Sequence, residues 1–145
     1  MSTEEENKAV SRRVVEELFK QGANLDAADE LFTPDYVGHT AGLEDIHGVE
    51  GFKQFAALYL QAFPDLQNTV EDQVAEGDKD VTRYRARGTH QGETEAFGPA
   101  TGNRFEITGM VIDRHEGGKI AESWLIFDAL GMMQQLRLVP QAEQV

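Results

Sequence analysis

Carboxylates set among large apolar residues are the groups in this chain best suited to chemistry. The segment Ile120–Asp128 carries Glu122 and Asp128 in step with Trp124, the single tryptophan. Strand alternation would put Ile120, Glu122, Trp124, Ile126 and Asp128 on one face, and Ala121, Ser123, Leu125 and Phe127 on the other. Both faces are rich in large apolar groups, so the strand is expected to be covered on both sides. A carboxylate held among apolar groups loses hydration, its pKa rises, and it can act as a general acid–base near neutral pH. Asp128 also stands just before Ala129-Leu130, where the N-cap of a terminal helix belongs. A cap and an acid–base role are therefore both open for it. Glu122 reads as a solvent-facing or ion-paired strand residue.

Arg83, Arg85 and Arg87 alternate along one strand face and lead into Gly88-Thr89-His90. Like charges in line repel, so they need acceptors, solvent or a bound anion. Glu106 on the next strand could pair with one, and an exposed ion-pair ladder is the simpler account. His39 and His47 follow the second helix, near Tyr36, Glu44 and Asp45. Their spacing matches neither HxxxH nor HExxH, and no metal site is expected. There is no GxSxG elbow, no phosphate-binding GxxxxGK[ST] loop and no dinucleotide fingerprint after a strand. The chain has no cysteine, which removes disulfides, thiolate catalysis and cysteine-ligated metals. Lys8, Lys20, Lys53, Lys79 and Lys119 all lie in polar contexts unsuited to a Schiff base. Catalysis would rest on acid–base groups and a shaped pocket, with no cofactor.

These residues need elements to position them. Val10, Val14, Val15, Leu18 and Phe19 have helical spacing between Asn7 and Gln21, with Gly22 as a C-terminal cap. Asn24 and Asp26 can cap a short second helix through Leu31 and Phe32, ended by Pro34. Asp35–His47 has no clear period and reads as a loop or irregular strand. Phe52, Phe55, Ala56, Tyr59, Leu60 and Phe63 mark a third helix that stops at Pro64. From Leu66 the pattern becomes alternating, with strands over 66–74, 81–90, 104–115 and 120–128. Turns fall at Gly77-Asp78 and Gly117-Gly118. Gln91–Asn103 is a loop or irregular hairpin, and Leu130–Leu138 a short terminal helix. Helices followed by a run of antiparallel strands predict an α+β fold, with the helices packed on one face of a curved sheet around a hollow.

The chain has 145 residues, 40% hydrophobic and 27% charged, which predicts one globular domain over residues 1–145 with residues 1–6 disordered. The net charge is −13. That field repels phosphate backbones and anionic lipids, so neither nucleic acid nor a membrane is expected as a partner. It would also suit a salt-rich cytoplasm. No apolar run approaches the ~20 residues of a membrane span, and the acidic start is unlike a signal peptide. A cytoplasmic location is expected. The last strands are apolar on both faces, and one layer of helices covers only one, so a homodimer is expected as well.

A set of motifs then adds a resemblance. They are Asn24-Leu25-Asp26-Ala27-Ala28-Asp29-Glu30-Leu31-Phe32, Asp35-Tyr36-Val37-Gly38-His39, Gly48-Val49-Glu50-Gly51-Phe52 and Ala62-Phe63-Pro64-Asp65-Leu66. Arg87-Gly88-Thr89-His90-Gln91-Gly92, Pro99-Ala100-Thr101-Gly102 and Gly118-Lys119-Ile120-Ala121-Glu122-Ser123-Trp124 follow, ending at Asp128. In this order, from about Val10 to Pro140, the chain resembles the SnoaL-like polyketide cyclases and the related ester cyclases. These belong to the nuclear-transport-factor-2-like superfamily. The resemblance implies a cone-shaped curved antiparallel sheet with N-terminal helices on its concave face, a deep apolar pocket, no cofactor and often a homodimer. It implies a small apolar carbonyl or ester ligand, with Asp128 as general acid–base for an intramolecular aldol closure or a related isomerisation. His39 and His90 match recurring pocket histidines, and Trp124, Met110, Tyr59 and Phe63 are candidate apolar walls. Arg85 stands where the family often has a smaller residue, so its guanidinium could narrow the pocket or bind an anionic group. The alternatives are a non-catalytic binding module of the same fold, or an assembly dimer whose pocket is filled by side chains. A buried Asp128 facing a cavity would favour the enzyme. An Asp128 tied to backbone N–H groups or to Arg85 would favour the binding module.

Overall fold

The structure is a computed structural model and describes residues 3–139. Helix α1 (Glu4–Arg13) begins with a reciprocal cap. The Glu6 N–H donates to Thr3 Oγ1 and the Thr3 N–H donates to the Glu6 carboxylate, each at 3.1 Å. Acidic residues in the first turn and Arg12 and Arg13 in the last complement the helix dipole. Residues 4–6 are therefore the first helical turn rather than part of a disordered start; Met1 and Ser2 lie outside the described residues. The helix then widens into a π turn, Val14–Leu18, which buries Val14, Val15 and Leu18. A 3-10 turn (Leu25–Ala27), capped by Asn24, runs into the short α2 (Ala28–Leu31).

The stretch without clear period is largely a strand, β1 (Phe32–Thr40), followed by the two-residue β2 (Ile46–His47). A register shift between Phe32 and Val37 breaks its alternation, which is why no period shows in the sequence. Helix α3 (Gly48–Ala62) follows, then β3 (Gln67–Glu76), β4 (Lys79–Thr89), β5 (Arg104–Glu116), β6 (Lys119–Phe127) and α4 (Ala129–Gln135). Strand order in the sheet is β2-β1-β6-β5-β4-β3. The sheet is curved, unclosed and mixed, because β1 pairs with β6 in parallel. The expected all-antiparallel sheet is corrected at that one seam, where the chain crosses from β1 to β6 through the rest of the fold. Among the described residues no helix is long and apolar enough to cross a membrane.

The inner face of the sheet carries Tyr84 and Ala86 of β4, Phe105 and Ile107 of β5, and the helices cover it with Val15, Phe63 and Met132. The outer face carries Arg83, Arg85 and Arg87 and the exposed Met110, Ile112, Trp124 and Ile126. One bulge, between Arg114 and His115, pairs His115 with Ile120. Ile120 is thereby turned inward, fully buried, while Glu122, Trp124 and Ile126 stay on the outer face. The loop 91–103 is pinned where Gly92 meets the end of α3. A Cβ there would lie 1.7 Å from the Gln61 carbonyl oxygen, so only glycine fits. The Gln91 and Gly92 N–H groups both donate to the Ala62 carbonyl at 3.1 Å.

Candidate active site

Between the π turn, α3 and the inner face of the sheet lies an apolar cavity of about 110 Å³. Val14, Val15 and Phe19 wall it from the first helix, Phe55 and Tyr59 from α3, and Leu125 and Phe127 from β6. The π turn has a direct role, because it lets the adjacent Val14 and Val15 both reach the cavity. Tyr36, Tyr59 and Tyr84, the chain's three tyrosines, all border it. Two of them lie over glycines: a Cβ on Gly38 would be 2.6 Å from the Tyr36 hydroxyl, and one on Gly109 would be 2.6 Å from that of Tyr84.

The polar end of the cavity is built by Asp113 of β5, Ser123 of β6 and Tyr36 of β1. Asp113 is only 4% exposed, and Ser123 Oγ donates to its Oδ1 at 2.5 Å. Burial pushes the Asp113 carboxyl up to about 6; the negative charge of Asp80 pushes the same way, while the Ser123 hydrogen bond opposes both. Burial also raises Tyr36 well above its ordinary value, so its hydroxyl keeps its proton.

Behind Asp113 sits a second buried group. Ser11 Oγ of α1 donates to Asp80 Oδ1 at 2.9 Å, and His115 Nε2 lies 3.3 Å from both Asp80 Oδ2 and Ser11 Oγ. Asp80, Asp113 and His115 bring their donor atoms within 4.8 Å of one another, close enough to consider a cation. A metal-bound imidazole, however, needs an acceptor for its other N–H. His115 Nδ1 is buried with no partner, so the cluster lacks the support of a metal site.

The family model described as SnoaL-like polyketide cyclase matches residues 9–136. The chain belongs to the SnoaL-like polyketide cyclase family. Solved structures agree. IdmH, a candidate polyketide cyclase from Streptomyces antibioticus, is 34% identical over 90% of this chain and 98% of its own, with a TM-score of 0.76. A candidate polyketide cyclase from Acidithiobacillus ferrooxidans is 28% identical over 97% and 100%, at 0.80. A SnoaL-like protein from Jannaschia sp. CCS1 is 23% identical over 97% of both chains; its TM-score of 0.86 supports the fold. A search of curated proteins gives no match.

Within this SnoaL-like fold the residues singled out from sequence fall in three places. Tyr59 lines the cavity, and His39 borders it. The His39 ring itself stacks on Trp124 at 5.6 Å and bonds Glu122 at 2.7 Å and Asp45 at 3.0 Å. Carboxylates on both nitrogens make both of them donors, and these bonds, Glu122 first, raise its pKa. Phe63 and His90 are fully buried and packed against each other at 5.7 Å, but neither borders the cavity. His90 instead holds the loop through Thr101 Oγ1, at 3.1 Å.

The remaining four lie away from the cavity. Trp124 and Met110 are outer-face residues, because strand alternation turns them away from Ser123 and Val111. Arg85 is exposed on the same outer face, 3.5 Å from Glu71 and 3.8 Å from Glu106. Asp128 is exposed and caps α4, accepting the Gly131 N–H at 2.9 Å. Trp124, with which it alternates in the sequence, lies on the outer face, and Asp128 itself stands past the end of β6.

Asp113, Ser123, Tyr36, Asp80, His115 and Ser11 were not among the sequence candidates. The signal for three of them was present. Phe105, Ile107, Gly109, Val111, Asp113 and His115 form one alternating face, apolar until its last two members. Asp80, Thr82, Tyr84 and Ala86 repeat the pattern on β4.

Proposed function

We propose that the protein is an acid–base catalyst acting on a compact carbonyl or ester compound, by intramolecular aldol closure or a related isomerisation, with Asp113 rather than Asp128 as the proton-transfer group. The observation that carries this reading is a carboxyl buried at the end of an apolar cavity, where loss of hydration pushes it up to about 6. As carboxylate, Asp113 takes a proton from carbon between two carbonyls. The enolate carbon attacks a second carbonyl of the same molecule held close to it. The resulting alkoxide takes the proton back from the Asp113 carboxylic acid, which restores the carboxylate. Tyr36 is a hydroxyl donor placed at the same end to stabilise the developing oxyanion. The apolar walls keep water out and strengthen these interactions.

The cavity volume is of the same order as the ~150 Å³ cavity that admits a benzene ring. This favours a compact substrate over a fused polycyclic one. Deuterium exchange at the α-carbon of a panel of β-keto esters, followed by NMR, tests the proposal. Wild type is expected to exceed the buffer rate, and Asp113→Asn to fall to it, a loss on the order of 10²–10⁴. Exchange by Asp113→Asn at the wild-type rate would overturn it. Binding without exchange in wild type would leave a ligand-binding module instead.

The outer face supports a homodimer as part of the same reading. Met110 pairs across the strands with Ile126, and Ile112 with Trp124. These four large apolar side chains are 38–64% exposed and contiguous.

A further inference from the structure

The acid–base reading leaves Asp80 unused, although it is the more deeply buried of the two inner carboxylates. Asp80 and Asp113 are direct partners in the β4–β5 register, and both face inward. Like charges directly opposite on paired strands repel, and burial removes the water that would screen them. Among the described residues no lysine or arginine pairs with either carboxylate. The titratable groups that face Asp113 are Asp80 from β4, His115 from β5 and Tyr36 from β1; α1 contributes the Ser11 hydroxyl and β6 the Ser123 hydroxyl.

His115 is the only candidate counter-charge in the cluster. Its Nε2 faces Asp80 and Ser11, but its Nδ1 is buried with no partner. An imidazolium would leave that N–H without an acceptor, whereas a neutral ring with its proton on Nε2 leaves only a lone pair. The neutral ring is the cheaper state. The donors are then distributed unequally. Asp80 receives Ser11 Oγ–H at 2.9 Å and His115 Nε2–H at 3.3 Å; Asp113 receives the Ser123 hydroxyl and shares Ser11 with Asp80, but the single Ser11 proton points to Asp80 in this geometry.

We propose that Asp80 is a positioning residue: held anionic by Ser11 and a neutral His115, it keeps the one proton of the Asp80–Asp113 pair on Asp113, the member that faces the cavity. This rests on the acid–base role proposed for Asp113 and adds what sets that group's resting state. Asp80 never meets the substrate. It acts through Asp113, holding the proton there up to about pH 6, so that only the ionised fraction is ready to act as base.

The test is the titration of Asp113 by carboxyl-carbon NMR in the wild type and in Asp80→Asn, together with the pH profile of α-proton exchange. In Asp80→Asn the Asp113 midpoint should fall by about one pH unit or more, and the acidic limb of the exchange profile should move with it. An unmoved midpoint in folded Asp80→Asn would overturn the proposal. Asp80→Ser gives a second route if Asp80→Asn does not fold: it removes the same negative charge, so the Asp113 midpoint falls again, and a midpoint at the wild-type value in the folded variant overturns the proposal. Nitrogen-15 shifts of wild-type His115 at pH 7 should report a neutral ring protonated at Nε2; an imidazolium pattern would also overturn it. The Asp113→Asn exchange assay decides the acid–base role separately, so the two failures are distinguishable.

Discussion

Asp113 and Asp128 are the same side chain in opposite circumstances. Asp128 is solvated and spends its carboxylate on one helical N–H, while Asp113 faces an apolar hollow. Replacing Asp128 with alanine should lower stability by about 1 kcal/mol, the usual worth of a cap, and leave the Asp113 titration in place. Asp113→Asn should do the reverse. The folded protein binds the Asp113 proton more tightly than the unfolded chain, since burial lifts the carboxyl from 3.8 to about 6. Stability from this group is therefore lost as pH rises from about 4 through about 6. The asparagine variant should be more stable than wild type at pH 8, by about 3 kcal/mol, and the difference should vanish below pH 4, as read by urea unfolding. The types of residue needed for the chemistry were legible in the sequence; which carboxylate met the cavity was not. Strand alternation assigns two faces, but only packing decides which of them is inside.

The elements most legible in the sequence are those with an unbroken period. Helix α3 and strands β4 and β5 follow their apolar repeats closely, and Gly77-Asp78 and Gly117-Gly118 mark the tight turns. The less legible ones each contain an irregularity. The register shift in β1 erased its alternation, and the π turn let neighbouring valines face the same way. The parallel β1–β6 seam is a long-range pairing that no local pattern encodes. Glycines under tyrosines are a further element-scale device, because the close approach shows only in three dimensions. Gly109→Ala would set a Cβ 2.6 Å from the Tyr84 ring carbon Cζ as well as its hydroxyl. That should cost about 1–3 kcal/mol in a thermal melt and push the ring toward the cavity, weakening ligand binding.

For the whole molecule, two surfaces of the sheet have different tasks. The inner face holds the cavity and the buried carboxylates, and the outer face presents apolar side chains flanked by an arginine ladder. The expectation of a second cover came from composition alone: strands apolar on both sides need two partners. Ile126, at 64% the most exposed of the four, is the natural place to break an assembly. Ile126→Lys should convert a dimer into a monomer by sedimentation at micromolar concentration, with the fold intact by circular dichroism. A wild type that sediments as a monomer would remove the dimer from this account.

The most direct measurement of the central claim is the carboxyl-carbon titration of Asp113 in wild type, free and with a bound β-keto ester. A midpoint near 6 that moves when the ligand binds is the predicted result. A midpoint in the ordinary carboxylate range near 4, unmoved by ligand, would contradict it.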